Sequence, residues 1–284
     1  MDENNTQAIL IRALRADDIP DALLLSELAG WNQTVDDWRR LIEWEPEGCF
    51  AATLDGRLVG SATTTTYGAR CGWIGMVLVH PDYRRFGIGT QMLNTGFAYL
   101  EERVATVKLD ATPAGKLVYD RNGFHAEYEI ERWEGIAPTV HGELAPAMPA
   151  TDLARVIEAD IEIFGADRGR LLHSLYSPST SAVAMRNGAV AGYAFSRPGR
   201  LAEYIGPLAA KDAETARQLL EGILARIPGR RVFIDICLAN PNARTLMQEY
   251  GMRLQRPFTR MYRGRGVSPG RPELVYGIAG PEIG

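Results

Sequence analysis

The sequence predicts an α/β fold laid down twice in one chain, and three observations carry that expectation. Apolar runs of strand length alternate with amphipathic helical patterns along the 284 residues. A strand-like run, Trp73–Val79, feeds a basic, glycine-spaced turn at Arg84–Gly89, which opens into a helical pattern reaching Leu100. The second half repeats this order faintly, with hairpin, strand, helix and strand at comparable spacing.

Composition narrows the class. With 46% hydrophobic and 23% charged residues the chain has the make-up of a soluble globular protein with ample material for a core. A net charge of −4 gives no general attraction to nucleic acid or an acidic membrane. Cys49, Cys71 and Cys237 are far apart, odd in number and without C-x-x-C pairing, so neither a disulfide framework nor a zinc site is indicated. The N-terminus is polar and acidic without a signal-peptide pattern, and no apolar run reaches the length of a membrane span. A cytoplasmic protein is the expectation.

Ala8–Arg12 reads as a first strand, and Asp17 and Asp18 ahead of Ile19-Pro20 supply a cap and an N1-type proline for a helix to about Leu28. After Gly30-Trp31-Asn32-Gln33, the Thr34-x-x-Asp37 pattern opens a second helix in capping-box style, with Val35, Trp38, Leu41 and Ile42 inward. Phe50–Leu54 and Arg57–Ser61 flank Asp55-Gly56, a type I′ hairpin signal. The second strand continues to Tyr67, and Trp73–Val79 pairs onto it across a Gly68–Gly72 turn.

Met92, Leu93, Gly96, Phe97 and Leu100 form one face of the helix after the glycine turn. Thr106–Asp110 is a further strand broken by Pro113-Ala114-Gly115, followed by a short helix through Tyr119 that ends at Asn122-Gly123. Phe124–Trp133 completes the first copy, and Pro138–Pro149 reads as a linker. In the second copy Ala182–Met185, Asn187-Gly188 and Ala189–Phe195 mirror the hairpin. Tyr204–Leu208, a helix over Asp212–Ile227, the strand Val232–Ile236 and the helix Arg244–Tyr250 follow, and Leu274–Ile278 is apolar enough for a final strand. Arg263–Gly270 reads as a flexible turn rather than a nucleic-acid arm.

A strand that delivers a glycine-spaced turn to a helix N-terminus builds an anion site. Glycine lets the backbone approach a ligand, the first helical N–H groups are free to donate, and the dipole favours negative charge. Arg84 and Arg85 add fixed positive charge. Arg84-x-x-Gly87-x-Gly89, preceded by Val79-His80-Pro81-x-Tyr83, resembles the acyl-CoA pyrophosphate loop of the GNAT superfamily of N-acetyltransferases. Leu109-Asp110-Ala111-Thr112 and Leu117-x-Tyr119-x-x-x-Gly123-Phe124 extend the resemblance over roughly residues 8–134.

The resemblance implies two tandem GNAT-like domains, each an α/β fold built on a mixed sheet. Their expected bounds are 1–136 for a catalytic domain, 137–150 for the linker and 151–284 for a degenerate copy. Where the first copy has Arg84–Gly89, the second has Ala209-Ala210-Lys211-Asp212-Ala213-Glu214, with no glycine and two carboxylates.

The implied chemistry is acyl transfer from acetyl-CoA to an amine by direct attack. Val77, Leu78 and Val79, with Arg84, Arg85, Phe86, Gly87, Ile88, Gly89 and Thr90, are the implied cofactor-binding residues. Backbone groups of Met76–Val79 would hold the pantetheine arm like an added strand, and an N–H near Val77 would steady the oxyanion. Tyr119 is the implied acid for the departing thiolate; its other reading is packing beneath the cofactor.

Trp31, Asn32 and Gln33 are implied acceptor contacts or, equally, an aromatic-packed turn. Asp110 reads as a base or as a cap on the Pro113 turn, and His80 as structural. His125, His141 and His173 lack metal spacing, and no metal is expected. The expected partner is a small-molecule amine, with no nucleic acid and no membrane; a homodimer is compatible with the sequence. The competing readings are a different acyl-CoA donor and a non-catalytic acyl-CoA sensor.

Overall fold

Both hairpin turns are built from paired left-handed residues. Asp55 and Gly56 sit at φ 50° and 74°, Asn187 and Gly188 at 52° and 74°, the type I′ backbone whose twist matches that of the flanking strands. The structure, a computed structural model, describes residues 9–140, 144–177, 179–265 and 270–284. The chain divides into two units, Met1–Val107 and Lys108–Gly284.

In the first unit β1 (Leu10–Ala13), β2 (Phe50–Leu54), β3 (Arg57–Tyr67) and β4 (Cys71–Val79) pair in that order, antiparallel throughout. Helices α1 (Ile19–Leu28) and α2 (Val35–Trp44) pack against β3, and α3 (Ile88–Glu101) covers β3 and β4. α3 lies on the sheet face presented by Thr64 and Ile74, whose methyl groups meet Gly96.

The capping box is formed: Asp37 N–H donates to Thr34 Oγ1 at 3.3 Å and Thr34 N–H to Asp37 Oδ2 at 2.9 Å. Trp38, Leu41 and Ile42 are buried as the period requires, whereas Val35 stands exposed in the first turn. Asp18 does not cap α1. Its carboxylate is held in a fork by Arg12 Nη1 and Nη2, both at 2.7 Å, and accepts Arg15 N–H at 2.8 Å. A bidentate guanidinium is a stronger partner for a carboxylate than one helical amide.

The second unit contains β5 (Thr106–Ala111, which begins at the boundary), α4 (Pro113–Arg121) and β6 (His125–Ile136). α5 (Ala150–Phe164), α6 (Gly169–Leu175), β7 (Ser181–Arg186), β8 (Ala189–Arg197), β9 (Glu203–Ala210) and α7 (Ala213–Leu224) follow. β10 (Arg231–Cys237), α8 (Ala243–Glu249), β11 (Arg253–Gly264) and β12 (Val275–Gly277) complete it. The strand order is β5-β11-β6-β10-β9-β8-β7, with β12 on β9.

β6, which closes the first copy in the sequence, is paired on both sides with strands of the second: Ile130 faces Phe258 of β11 and Cys237 of β10. β11 has no counterpart among the elements expected from sequence. Its first residues, Arg253, Leu254 and Gln255, are all exposed, so no in-out alternation marks the strand there, and its buried part begins only at Phe258. α7 packs on β7, β8 and β9, where Leu219, Leu220 and Ile223 join Ile205, Leu208, Val232 and Ile234 in the core.

Pro113-Ala114-Gly115 opens a helix instead of merely breaking a strand. Pro113 takes the first helical position, where a missing N–H costs nothing, and Thr112 Oγ1 caps by accepting Gly115 N–H at 3.2 Å. Arg263, at the start of the expected turn, donates to Asn122 O at 2.9 Å. Residues 266–269 of that turn and His141 lie outside the described residues.

Candidate active site: an anion loop and a strand bulge

β4 ends at Val79 and the chain turns through a short 3-10 segment, Pro81–Tyr83. His80 N–H donates to Val59 O at 2.9 Å, anchoring the turn to β3. The His80 imidazole works inside the turn, its Nδ1 accepting Asp82 N–H at 3.3 Å and its ring lying edge-on to Tyr83. Arg84 Nε reaches back to Val79 O at 3.3 Å.

Arg85 at φ 68° and Gly87 at φ 78° are both left-handed. Backbone that visits this region next to helical residues turns successive N–H groups into one concavity, which suits an anion. Gly87 is the N-cap of α3, and the first helical bond runs from Gln91 N–H to Gly87 O at 3.0 Å. The amides of Ile88, Gly89 and Thr90 therefore open the helix without intrahelical partners. Among the described residues, nothing beyond its two chain neighbours lies within 4 Å of the position a Gly87 Cβ would take. Together with the exposed guanidinium-bearing residues Arg84 and Arg85, this open, glycine-lined helix start fits the pyrophosphate of an acyl-CoA.

Val77, Val79 and Ile88 gather with Met92 in one apolar cluster beneath the loop. Leu78 is buried, directly opposite Ser61, and Phe86 is 70% exposed. Thus the loop residues expected from sequence are brought together by the first unit, although Leu78 has its side chain sealed in the core.

The register of β3 on β4 skips in the middle of this site. Ser61 pairs Leu78 and Thr63 pairs Gly75, so Met76 and Val77 together face Ala62. Met76 sits at φ 50°, and Ser61 Oγ donates to its carbonyl at 2.8 Å. This is a β-bulge, a device that re-aims backbone groups at active sites. Neither Ser61 nor the left-handed conformation of Arg85 was legible in the sequence: one serine in a threonine-rich strand carries no signal, and arginine is an unusual choice for φ above zero.

Trp31, Asn32 and Gln33 connect α1 to α2. Trp31 N–H donates to Ser26 O at 2.9 Å and is half-buried, while Asn32 and Gln33 are buried. Ser26 also accepts the Trp38 indole N–H at 2.9 Å, so the connection is tied to both helices.

In the second unit Tyr119 lies on α4 with its ring tilted against Phe124 and passing over Gly115, where a Cβ would stand 3.0 Å from the ring. The residue keeps some exposed surface, but burial around its hydroxyl pushes the phenol up to about 12. It is therefore protonated at neutral pH. Asp110 does not cap the Pro113 turn, where Thr112 is the capping residue. Arg260 Nε and Nη2 each hold one of its oxygens at 2.8 Å, and Arg260 Nη1 donates to Tyr128 Oη at 2.7 Å.

The second copy uses the same architecture differently. At the start of α7, Asp212 caps by accepting Thr215 N–H at 2.8 Å, and this lowers its pKa below the ordinary carboxylate value. The helix end that would greet a phosphate already holds the chain's own anion. β8 on β9 also carries a bulge, between Ala194–Leu208 and Ser196–Ile205, where Gly206 and Pro207 face Phe195. That alignment places Pro207 level with Val77, one residue from the match suggested by the Gly75 and Gly206 sequence echo. Proline has no N–H to offer.

β9 and β10 pair over Glu203–Ile205 and Val232–Ile234. Beyond that point β12 takes the space, pairing with Leu208 and Ala209, and Ile278 N–H donates to Asp235 O at 2.9 Å.

Among the described residues no helix is long and apolar enough to cross a membrane, and no group of three or more His, Cys, Asp or Glu is placed to hold a metal ion.

A mixed sheet with a bulged strand leading into a basic loop at a helix N-terminus defines an acyltransferase of the GNAT fold. Comparison with known proteins agrees. An acetyltransferase (GNAT) family model matches residues 17–124 and an acetyltransferase (GNAT) domain model matches residues 156–277, together well over half of the chain. The chain belongs to the GNAT acetyltransferases and carries two such domains in tandem.

It is 26% identical over 219 residues to the uncharacterized N-acetyltransferase YitH of Bacillus subtilis (strain 168), covering 75% of this chain and 77% of that one. A crystal structure of a proposed acetyltransferase from Pyrococcus horikoshii superposes with a TM-score of 0.83 at 25% identity, over 100% of this chain and 99% of the other. A tandem GNAT protein from the clavulanic acid biosynthesis pathway shares the fold, with a TM-score of 0.63 at 17% identity over 92% and 100% of the two chains.

Proposed function

We propose that this protein is an acetyl-CoA-dependent N-acetyltransferase whose acceptor is the amine of a small molecule or an amino-acid-like compound, attacked directly in a ternary complex. The observation that carries this reading is the Arg84–Gly89 loop, with Gly87 left-handed at the N-terminus of a 14-residue helix. The GNAT family uses acetyl-CoA as its co-substrate, which supplies an acyl group activated as a thioester.

The chain's own residues have three tasks. Arg84, Arg85 and the amides of Ile88–Thr90 bind the pyrophosphate. The Val77 N–H is the donor we assign to the oxyanion, as the attacking nitrogen bonds to the carbonyl carbon and the C–S bond breaks. Tyr119, held neutral, gives its proton to the departing thiolate. The amine must shed one proton to solvent or a base before attack. The connection through Trp31, Asn32 and Gln33 is where we place the acceptor.

Calorimetric titration with acetyl-CoA is expected to count one site per chain, because the loop of the second copy has a capping carboxylate in place of glycines. Tyr119→Phe is expected to keep acetyl-CoA affinity within about two-fold and to lower kcat by roughly 10²-fold, the usual weight of one general acid. Unchanged turnover would remove Tyr119 from the mechanism. Binding without turnover of any amine in the wild type would leave a sensor as the better description.

A further inference from the structure

We propose that Ser61 is a positioning residue for the acyl-transfer step, acting through the strand bulge that it fastens at Met76; the proposal rests on the enzymatic reading above. A single peptide unit links Ser61 to the oxyanion donor. The carbonyl of Met76 and the N–H of Val77 belong to the same plane, and in a trans peptide they point in opposite directions. Ser61 Oγ holds that carbonyl at 2.8 Å. Whatever fixes the carbonyl therefore also aims the N–H, the donor assigned to the oxyanion.

The bulge needs such a fastening. Met76 at φ 50° occupies a region unfavourable for a residue with a side chain, and Ala62, Met76 and Val77 drop out of the β3–β4 register. A left-handed methionine without a restraint would relax toward the extended backbone of its neighbours, and the peptide plane would turn with it. Ser61 is 0% exposed and Met76 2%, so the bond lies where water does not compete.

The neighbouring hydroxyls make the contrast. Thr63 and Thr65 share the Ser61 face of β3 by strand alternation, are buried, and among the described residues their hydroxyls have no hydrogen-bond partner. The one hydroxyl of the three that reaches across to a backbone carbonyl is the one beside the bulge.

The second copy supplies an internal comparison. There the residue that pairs Leu208, as Ser61 pairs Leu78, is Ala194, and the residue level with Val77 is Pro207. The donor and its fastening are missing from the same copy. A serine that only filled a buried strand position would have no reason to accompany an N–H one residue along the facing strand.

The test compares Ser61→Ala with Thr63→Val, which removes a buried hydroxyl of no assigned role. Free-CoA affinity by calorimetry, steady-state kinetics with an amine acceptor and exchange of the Val77 amide by NMR are measured on the full chain. Ser61→Ala is expected to bind CoA within about two-fold of wild type and to leave the acceptor KM unchanged. Its kcat falls roughly 10- to 100-fold, a part of the 10²–10³ that follows complete loss of an oxyanion donor, and its Val77 amide exchanges faster. Thr63→Val keeps wild-type kcat.

A kcat for Ser61→Ala within about two-fold of wild type, or equal losses in both variants, would overturn the positioning role. Unchanged Val77 exchange would overturn the fastening itself, whether or not the wild type turns over an amine; a wild type that binds no CoA would instead sink the reading on which the proposal rests. Should Ser61→Ala fail to fold, Ser61→Cys, of similar shape but a weak donor, carries the same comparison.

Discussion

Asp235→Ala is expected to unfold roughly 10 °C below the wild type in a thermal scan. Asp235 on β10 stands directly opposite Arg132 on β6, and its two oxygens accept Arg132 Nε at 2.7 Å and Nη2 at 2.6 Å. The Tyr204 hydroxyl donates to the same carboxylate at 3.0 Å. Arg132 is 3% exposed and Asp235 0%, with the guanidinium near the rings of Phe233 and Phe258.

Removing the carboxylate leaves a buried cation without its counter-charge, which costs about 3–5 kcal/mol. Set against a total stability of about 5–15 kcal/mol, that is a large share. The loss converts to the stated shift at about 2–4 °C per kcal/mol for a protein of this size. Replacing both partners by apolar residues of matching volume is expected to recover much of the loss, since desolvation of the pair is then avoided. If Asp235→Ala alone melted within about 2 °C of wild type, the pair would have to be solvated in solution.

Gly87→Val is expected to lower acetyl-CoA affinity at least about 100-fold while moving the melting temperature little. The folded protein has space for the side chain, since among the described residues nothing beyond the two chain neighbours lies within 4 Å of the new Cβ. The penalty is conformational: φ 78° is left-handed, and a β-branched residue there is a strong outlier. The turn is exposed and relaxes at small cost to the core. In relaxing, however, it carries the Ile88–Thr90 amides out of line, and each factor of ten in affinity is only about 1.4 kcal/mol. Calorimetric titration reads the effect directly. Normal binding by this variant would show that the loop is not the pyrophosphate site.

Much of this architecture was legible because it is written locally. Asp55-Gly56 and Asn187-Gly188 specify their turns within two residues, Thr34 and Asp37 specify a cap within four, and the glycine spacing after Val79 marks the left-handed turn into the next helix. What escaped depends on partners remote in sequence. Asp110 looked like a strand-end cap because Arg260 lies 150 residues away, and Asp18 looked like a helix cap because Arg12 competes for it.

The bulge was hidden for a different reason. Gly75 is the residue whose type advertises unusual backbone, yet the left-handed conformation falls on Met76, held by a side chain on another strand. The alignment of the two copies slipped by one residue at the same point, since a bulge shifts register without marking the sequence.

The lodging of β6 between β10 and β11 sets the order of events on the ribosome. Ile136 ends β6, but β10 closes only at Cys237 and β11 only at Gly264. At about 5–20 residues per second, the nascent β6 spends roughly ten seconds with neither neighbour made. Through that interval Ile130 and Trp133, both buried in the finished protein, belong to a strand with two open edges. The chain is thus an expected client for chaperones during its own synthesis, and the second half must be made before the first half's last strand can settle.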